Sequence, residues 1–308
     1  MAIDIAGFGV ATLDMIAEVE RFPAAGEKAK ILSREYHGGG LTATALVAAS
    51  KLGASCWYGG ALGRNESSDF VRNALREYGV MLPAVTFYPP EAEPFLSSVY
   101  VEKNSGERTI LWSEFLTPAP VLNDETVGVA LSAKSLFVDR FFAETLLPLY
   151  RQARAQRIPI IGDFEAIANP HEEEALTLVD HLVVPAAFAR EYTGTDDVSS
   201  AVLKLLREHD RSAVVITDGV KGAWFAEKGD SAAKHQAAFQ VPVCDTTGCG
   251  DVFHGAYAAA LTFGMTLAQR VRFASAAAAL KATKKGGQAA APTREELETF
   301  LAKTPQSG

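Results

Sequence analysis

The groups best suited to covalent chemistry sit in one run of nine residues, Asp245-Thr246-Thr247-Gly248-Cys249-Gly250-Asp251-Val252-Phe253. Its glycines open an alanine-rich stretch of helical composition. Glycine at a helix start lets backbone N–H groups converge on an anion, and the helix dipole adds to the same field. A phosphoryl group in transit would be held by such a loop. Asp251 falls in the first turn of that helix, where a carboxylate can accept a proton from an alcohol placed between it and the anion. Aspartate in a first turn also caps helices with no further role, so the position gains chemical meaning only from the whole run. His254, one turn later, reads as a helix-packing residue. Cys249, at the helix start, either has its thiol pKa lowered by that field or is simply a small residue that fits the turn. Lys284 and Lys285, before Gly286-Gly287, form a solvated turn or reach a phosphate.

The elements that must position these residues alternate. Residues 3–11 are mostly apolar and in part β-branched, with glycines toward their end, as a buried parallel strand entering a loop is. Helical patterns at residues 43–52, 70–78 and 144–156 alternate with short apolar runs at 135–138, 158–161, 182–184 and 213–217. That rhythm predicts βα units and a mainly parallel sheet covered by helices. Residues 95–103 and 107–112 flank Asn104-Ser105-Gly106, a turn sequence that predicts a hairpin. With the extended-looking residues 15–36 they form a small second sheet, placed to act as a lid over the parallel core. A strand-like segment at 239–243 leads into the nine-residue run, and residues 250–281 read as two closely packed helices. Thr293-Arg-Glu-Glu296 is a capping box for a final helix, and the last five residues are expected to fray.

The chain has 308 residues, of which 48% are hydrophobic and 21% charged, enough for one large core with a small appendage. A net charge of −8 argues against nucleic acid or an anionic membrane surface as partner, since both are recognised through clustered Lys and Arg. Three cysteines, Cys56, Cys244 and Cys249, make neither a disulfide framework nor a zinc motif, which fits a reducing cytoplasm. The N-terminal residues lack the basic segment of a signal peptide, and no stretch is apolar enough to span a bilayer. Gly7-Phe8-Gly9 lacks the third glycine of a dinucleotide fingerprint, because Thr12 stands in its place.

The nine-residue run resembles the C-terminal signature of the ribokinase-like (PfkB) carbohydrate kinases, in which the final Asp is the catalytic base. A second match lies upstream: Gly38-Gly39-Gly40, then Ala43 and Thr44, then an alanine-rich helix ending at Lys51-Leu52-Gly53, is similar to the family's N-terminal glycine signature. The resemblance covers nearly the whole chain. It implies a three-layer α/β/α fold, with a single kinase domain over residues 1–308 and lid segments at residues 15–37 and 94–113. It implies transfer of the γ-phosphoryl group of ATP to a hydroxyl of a sugar or sugar-like acid, with Mg2+ and, as a further option, a monovalent cation as cofactors. Asp251 would be the base, and the amides of Gly248, Cys249 and Gly250 would hold the transferred group. Asp14, Gly39, Gly40 and Thr44 would meet the acceptor, and Thr217, Gly219 and Gly222 would line the nucleotide together with Thr246, Gly248 and Gly250. An exposed lid edge offers a homodimer surface.

The chain also departs from the family pattern. The family's Asn in the first signature is Thr44 here, and its Asn-x-x-Glu motif falls at Pro185 and Phe188, with Glu191 as the candidate substitute. Within the family the chain looks closest to the sulfofructose kinases, on the Gly-Gly-Gly run, the Asp-Thr-Thr-Gly run and Val271-Arg-Phe-Ala-Ser275. That likeness would give Lys28 and Arg140 the sulfonate of an anionic ketohexose, with Trp112 where an Asn is expected. The alternatives are a nucleoside or neutral ketohexose acceptor and, more distantly, a non-catalytic sugar or nucleotide binder.

Overall fold

The computed structural model describes residues 2–83, 91–114 and 116–304. Six parallel strands form the centre: β1 (Ile5–Phe8), β4 (Cys56–Tyr58), β7 (Ser135–Asp139), β8 (Ile160–Asp163), β9 (His181–Pro185) and β10 (Ala213–Thr217). Strands β11 (Ala223–Glu227) and β12 (Lys234–Gln236) add antiparallel to one edge, giving the order β12-β11-β10-β9-β8-β7-β1-β4. Successive side chains of a strand point to opposite faces, so each strand feeds two cores. Ile5, Phe137, Ile161, Val183 and Val215 pack against helices α1 (Leu41–Lys51), α8 (Cys249–Thr262) and α9 (Leu267–Ala282). Ala6, Phe8, Leu136, Val138, Ile160, Leu182 and Val214 face α4 (Ala143–Ala155), α6 (Ala186–Thr193) and α7 (Val198–Glu208). This is the expected three-layer arrangement.

A separate sheet has the order β3-β2-β5-β6, built from β2 (Thr12–Val19), β3 (Ile31–Gly39), β5 (Phe95–Glu102) and β6 (Arg108–Ser113). The expected hairpin over 95–112 is present as β5–β6, and the stretch at 15–36 is the second hairpin, β2–β3. The first core strand is shorter than expected, because the Val10 amide leaves the ladder to donate to the buried Asp139 carboxylate at 2.7 Å. The chain then turns into β2.

Two further expectations bear on the site. The segment at 239–243 is not a strand: Pro242 offers no N–H to a ladder, and Phe239 instead packs edge-on against Phe300 of α10 (Arg294–Lys303). The capping box is present at the start of α10, with the Thr293 hydroxyl and the Glu296 carboxylate each accepting the other's backbone N–H. The tail expected to fray lies, from residue 305 onward, outside the described residues. Among the described residues no helix is long and apolar enough to cross a membrane.

Candidate active site

Gly248 ends the loop before α8 in the left-handed region, φ 74° and ψ 8°, which glycine adopts without steric cost. α8 starts directly after that turn. The loop is held by Asp245, whose carboxylate accepts from the Thr247 N–H at 2.9 Å and the Gly286 N–H at 3.0 Å. Burial alone would raise the pKa of Asp245, but these hydrogen bonds and Lys281 hold it well below the usual carboxylate range. The Cys249 amide, expected to face the anion, donates to the Thr246 carbonyl at 3.2 Å, because the chain folds back on itself just before the helix. The Gly248, Gly250 and Asp251 amides have no acceptor among the described residues, so they are the donors left for an anion. The Cys249 thiol is not activated either, since burial pushes its pKa up.

Asp251 stands beside this turn. Its Oδ2 lies 3.7 Å from where a side chain on Gly248 would begin, and the Thr44 methyl lies 3.8 Å from the same point. Thr44 itself is buried in α1, so it packs that helix against the loop. No hydrogen bond engages the Asp251 carboxyl among the described residues, and its pKa is pushed well up, by burial first and then by the nearby Asp163. Asp163 ends β8, is buried, and is itself raised by burial and by Glu165. Beneath both lies His254, buried as a packing residue should be. Its Nδ1 is 2.8 Å from the Gly250 carbonyl, and its Nε2 is 3.0 Å from the Val183 carbonyl and 3.4 Å from Asp163. The ring fixes the first turn of α8 to the end of β8 and to the middle of β9, while burial lowers its pKa.

The second sheet supplies the facing wall. Its register aligns His37, Asp14, Ser97 and Trp112 in one row across four strands, so their side chains share a face. Asp14 accepts from the Thr12 hydroxyl at 2.7 Å, and burial raises its pKa against that bond, His37 and Ser97. Gly39 must lack a side chain, since a Cβ there would stand 2.1 Å from Asp14 Oδ2. Trp112, exposed, stacks on Phe95 at 6.1 Å, and Phe95 meets Phe141 edge-on at 5.1 Å. By the same alternation Arg108 lies on this face. It crosses to the core, donating to Asp245 Oδ1 at 2.6 Å and to the Thr247 hydroxyl. The sheet is thereby tied directly to the anion loop.

Other expected site residues lie elsewhere or are already engaged. Lys28 is exposed in the loop between β2 and β3, past the Val19–Ile31 end of that hairpin, whereas Asp14 and Gly39 are near its other end. Five residues of strand separate Asp14 from Val19, or about 17 Å at a strand's usual rise. Arg140 follows β7, but its guanidinium pairs with Glu172 at 3.2 Å and lies over the Phe141 ring at 4.2 Å. Thr217 ends β10, and Gly219 and Gly222 form the tight turn to β11. Pro185 caps α6, Phe188 is buried against Tyr192, and Glu191 is exposed on α6. Lys284 pairs with Glu296 at 2.6 Å. Gly40 gives α1 its start at φ 96°.

Sequence reasoning missed Arg108, Ser97 and Asp163. The signal for Arg108 was its place two residues after a turn glycine, at the reach of a hairpin tip. For Ser97 and Asp163 only strand register places them, and spacing along the chain does not reveal it.

Known proteins resemble this chain in sequence and in fold. The family described as "pfkB family carbohydrate kinase" matches residues 2–294. A ribokinase of Haemophilus influenzae is 29% identical over 302 residues, covering 95% of this chain and 96% of that protein. The solved structure of a Thermotoga maritima ribokinase superposes with a TM-score of 0.83 at 26% identity, covering 97% of this chain and 99% of the other. An Arabidopsis thaliana ribokinase complexed with ribose and ATP reaches 0.84 at 23% identity, with coverage of 97% and 99%. These are the proteins this chain is similar to in sequence and in fold.

Proposed function

Because the chain belongs to the PfkB family of carbohydrate kinases, we propose that it moves the γ-phosphoryl group of ATP to a hydroxyl of a neutral sugar held between Asp251 and the lid row of Asp14, Ser97 and Trp112. The observation that carries this reading is Asp251 itself: a buried carboxyl whose pKa burial raises, unbonded among the described residues, beside three amides with no acceptor. In the step, the acceptor oxygen forms a bond to Pγ as its proton passes to Asp251. The bond from Pγ to the bridging oxygen breaks, and its electron pair leaves with ADP. The amides of Gly248, Gly250 and Asp251 take up charge on the transferred group.

Kinases of this type use ATP with a metal ion, which would offset the charge of the phosphates. Mg2+ keeps several waters and needs only one or two protein carboxylates. Glu165, exposed beyond β8 and near enough to raise both Asp163 and Asp251, fits that requirement.

A neutral acceptor is favoured by charge. Asp14 and Asp251 are both acids, Glu172 already neutralises Arg140, and Lys28 sits at the far end of its hairpin. A sulfonate entering between two carboxylates would find neither cation free at hand. A nucleoside is the second reading, supported by the exposed Trp112 ring on the acceptor-facing row. ADP release measured with ribose, fructose, sulfofructose and adenosine decides among these. The expected result is a kcat/KM for ribose or fructose at least about tenfold above that for sulfofructose. Preference for sulfofructose would overturn the neutral acceptor, and silence with every sugar and nucleoside would overturn the proposal as a whole.

Arg108 makes the lid part of the mechanism, since closure excludes water as a competing acceptor. Arg108→Ala is expected to lower kcat roughly tenfold and to raise ATP hydrolysis in the absence of sugar. Unchanged coupling of ATP use to sugar phosphate would remove Arg108 from this role.

A further inference from the structure

Lys281 stands in the last turn of α9 with none of its side chain exposed. Its Nζ donates to the Asp245 carbonyl at 2.7 Å and lies 3.6 Å from Asp245 Oδ2. Taking an ammonium out of water costs several kcal/mol, to order of magnitude, and one carboxylate at that distance compensates only in part. Leucine or methionine would fill the same volume without that cost. The charge therefore needs a reason, and its surroundings supply one.

Both polar partners of the Lys281 ammonium belong to the anion loop. The Cys244 and Asp245 amides both donate to the carbonyl of its neighbour Ala282, at 2.7 Å and 3.1 Å. The Gly286 amide donates to the same Asp245 carboxylate. The ammonium thus sits under the point where the loop leaves its anchor, on the inner side of Asp245, while Arg108 covers the outer side. A carbonyl oxygen and a carboxylate oxygen converging on one buried positive point are the donor set that a bound monovalent cation would use. Here a side chain holds that point.

We propose that Lys281 is a built-in monovalent cation: it fixes the Asp245–Gly248 turn in its anion-binding shape and adds positive charge beneath the phosphate, so that the protein needs no potassium or similar free ion. The inference rests on the reading of this loop as the phosphate site. It makes Lys281 a positioning residue that acts through Asp245, and it argues against the monovalent cofactor that the family resemblance allowed.

The test is ADP binding by isothermal titration calorimetry, which needs neither an acceptor nor turnover. Wild-type protein is expected to bind ADP with affinities within about twofold in potassium, sodium and choline chloride at equal ionic strength. Lys281→Ala, which leaves room for an ion, is expected to bind at least about tenfold more weakly in choline and to regain affinity in potassium or ammonium. Wild-type affinity that rises tenfold or more from choline to potassium would overturn the proposal, as would Lys281→Ala binding ADP like wild type in choline. Should the variant not fold, the wild-type series decides alone. If no sugar is phosphorylated while ADP binding is indifferent to the cation, the kinase reading fails and the role of Lys281 stands.

Discussion

Replacing Asp251 with asparagine is expected to lower kcat by roughly three or more powers of ten while ADP affinity stays near that of wild type. Asparagine keeps the shape and leaves the neighbouring amides in place, but it cannot accept the acceptor's proton. A variant with turnover within tenfold of wild type would show that the proton goes elsewhere.

The same residue sets a pH signature. The Asp251 carboxyl ordinarily titrates near 3.8, and burial with Asp163, Glu165 and Asp14 nearby raises it well above that. A base must be deprotonated to act, so the acidic limb of kcat/KM against pH should lie above the ordinary carboxylate range. Asp163 titrates in the same pocket and is raised too, so the limb reports the pair.

Stability carries the opposite sign. A group whose folded pKa is raised supports the fold below its unfolded pKa, and that support is lost as pH rises through the folded value. At neutral pH, above its unfolded pKa, Asp251 therefore costs stability. Asp251→Asn should melt about 2 °C or more higher at neutral pH, with the gain vanishing in acid. Higher stability with lost turnover is what a buried carboxylate kept for catalysis gives. Equal melting temperatures across the whole pH range would contradict the burial argument.

Asp14→Ala is expected to raise the KM for sugar about a hundredfold and to leave the KM for ATP unchanged, since a site built to accept hydrogen bonds from hydroxyls discriminates through those bonds. Gly39→Ala should have the same direction of effect for a steric reason. Its methyl would stand 2.1 Å from Asp14 Oδ2 and force the carboxylate from its place in the row with Ser97 and Trp112. Initial-rate kinetics with each substrate varied in turn separates the two outcomes. An ATP KM that rises as much as the sugar KM would place Asp14 outside the acceptor site.

Much of this protein was legible along the chain because its determinants are local. The βα rhythm follows from periodicity, the hairpin from Asn104-Ser105-Gly106, and the last helix from a capping box four residues long. The glycine turn before α8 was legible for the same reason: it and the first helical turn are contiguous, so the residues that shape them are neighbours in sequence. The segment at 239–243 was misread because apolar composition resembles a strand wherever it occurs, whereas Phe239 is used to cover Phe300.

What only the tertiary structure decided is who meets whom across long separations, and with which charge. The likeness gave Arg140 and Lys28 to a sulfonate, but Glu172 pairs with Arg140 and the hairpin carries Lys28 to the end opposite Asp14. Arg108 and Lys281 are each ordinary basic residues in the sequence, yet they close on Asp245 from opposite sides. Local backbone preference acts over a few residues and can be read from a string, but burial and electrostatics depend on distance in space. The nature of the loop was therefore set by its own residues, while the charges that surround it were fixed only when sheet, lid and helix came together.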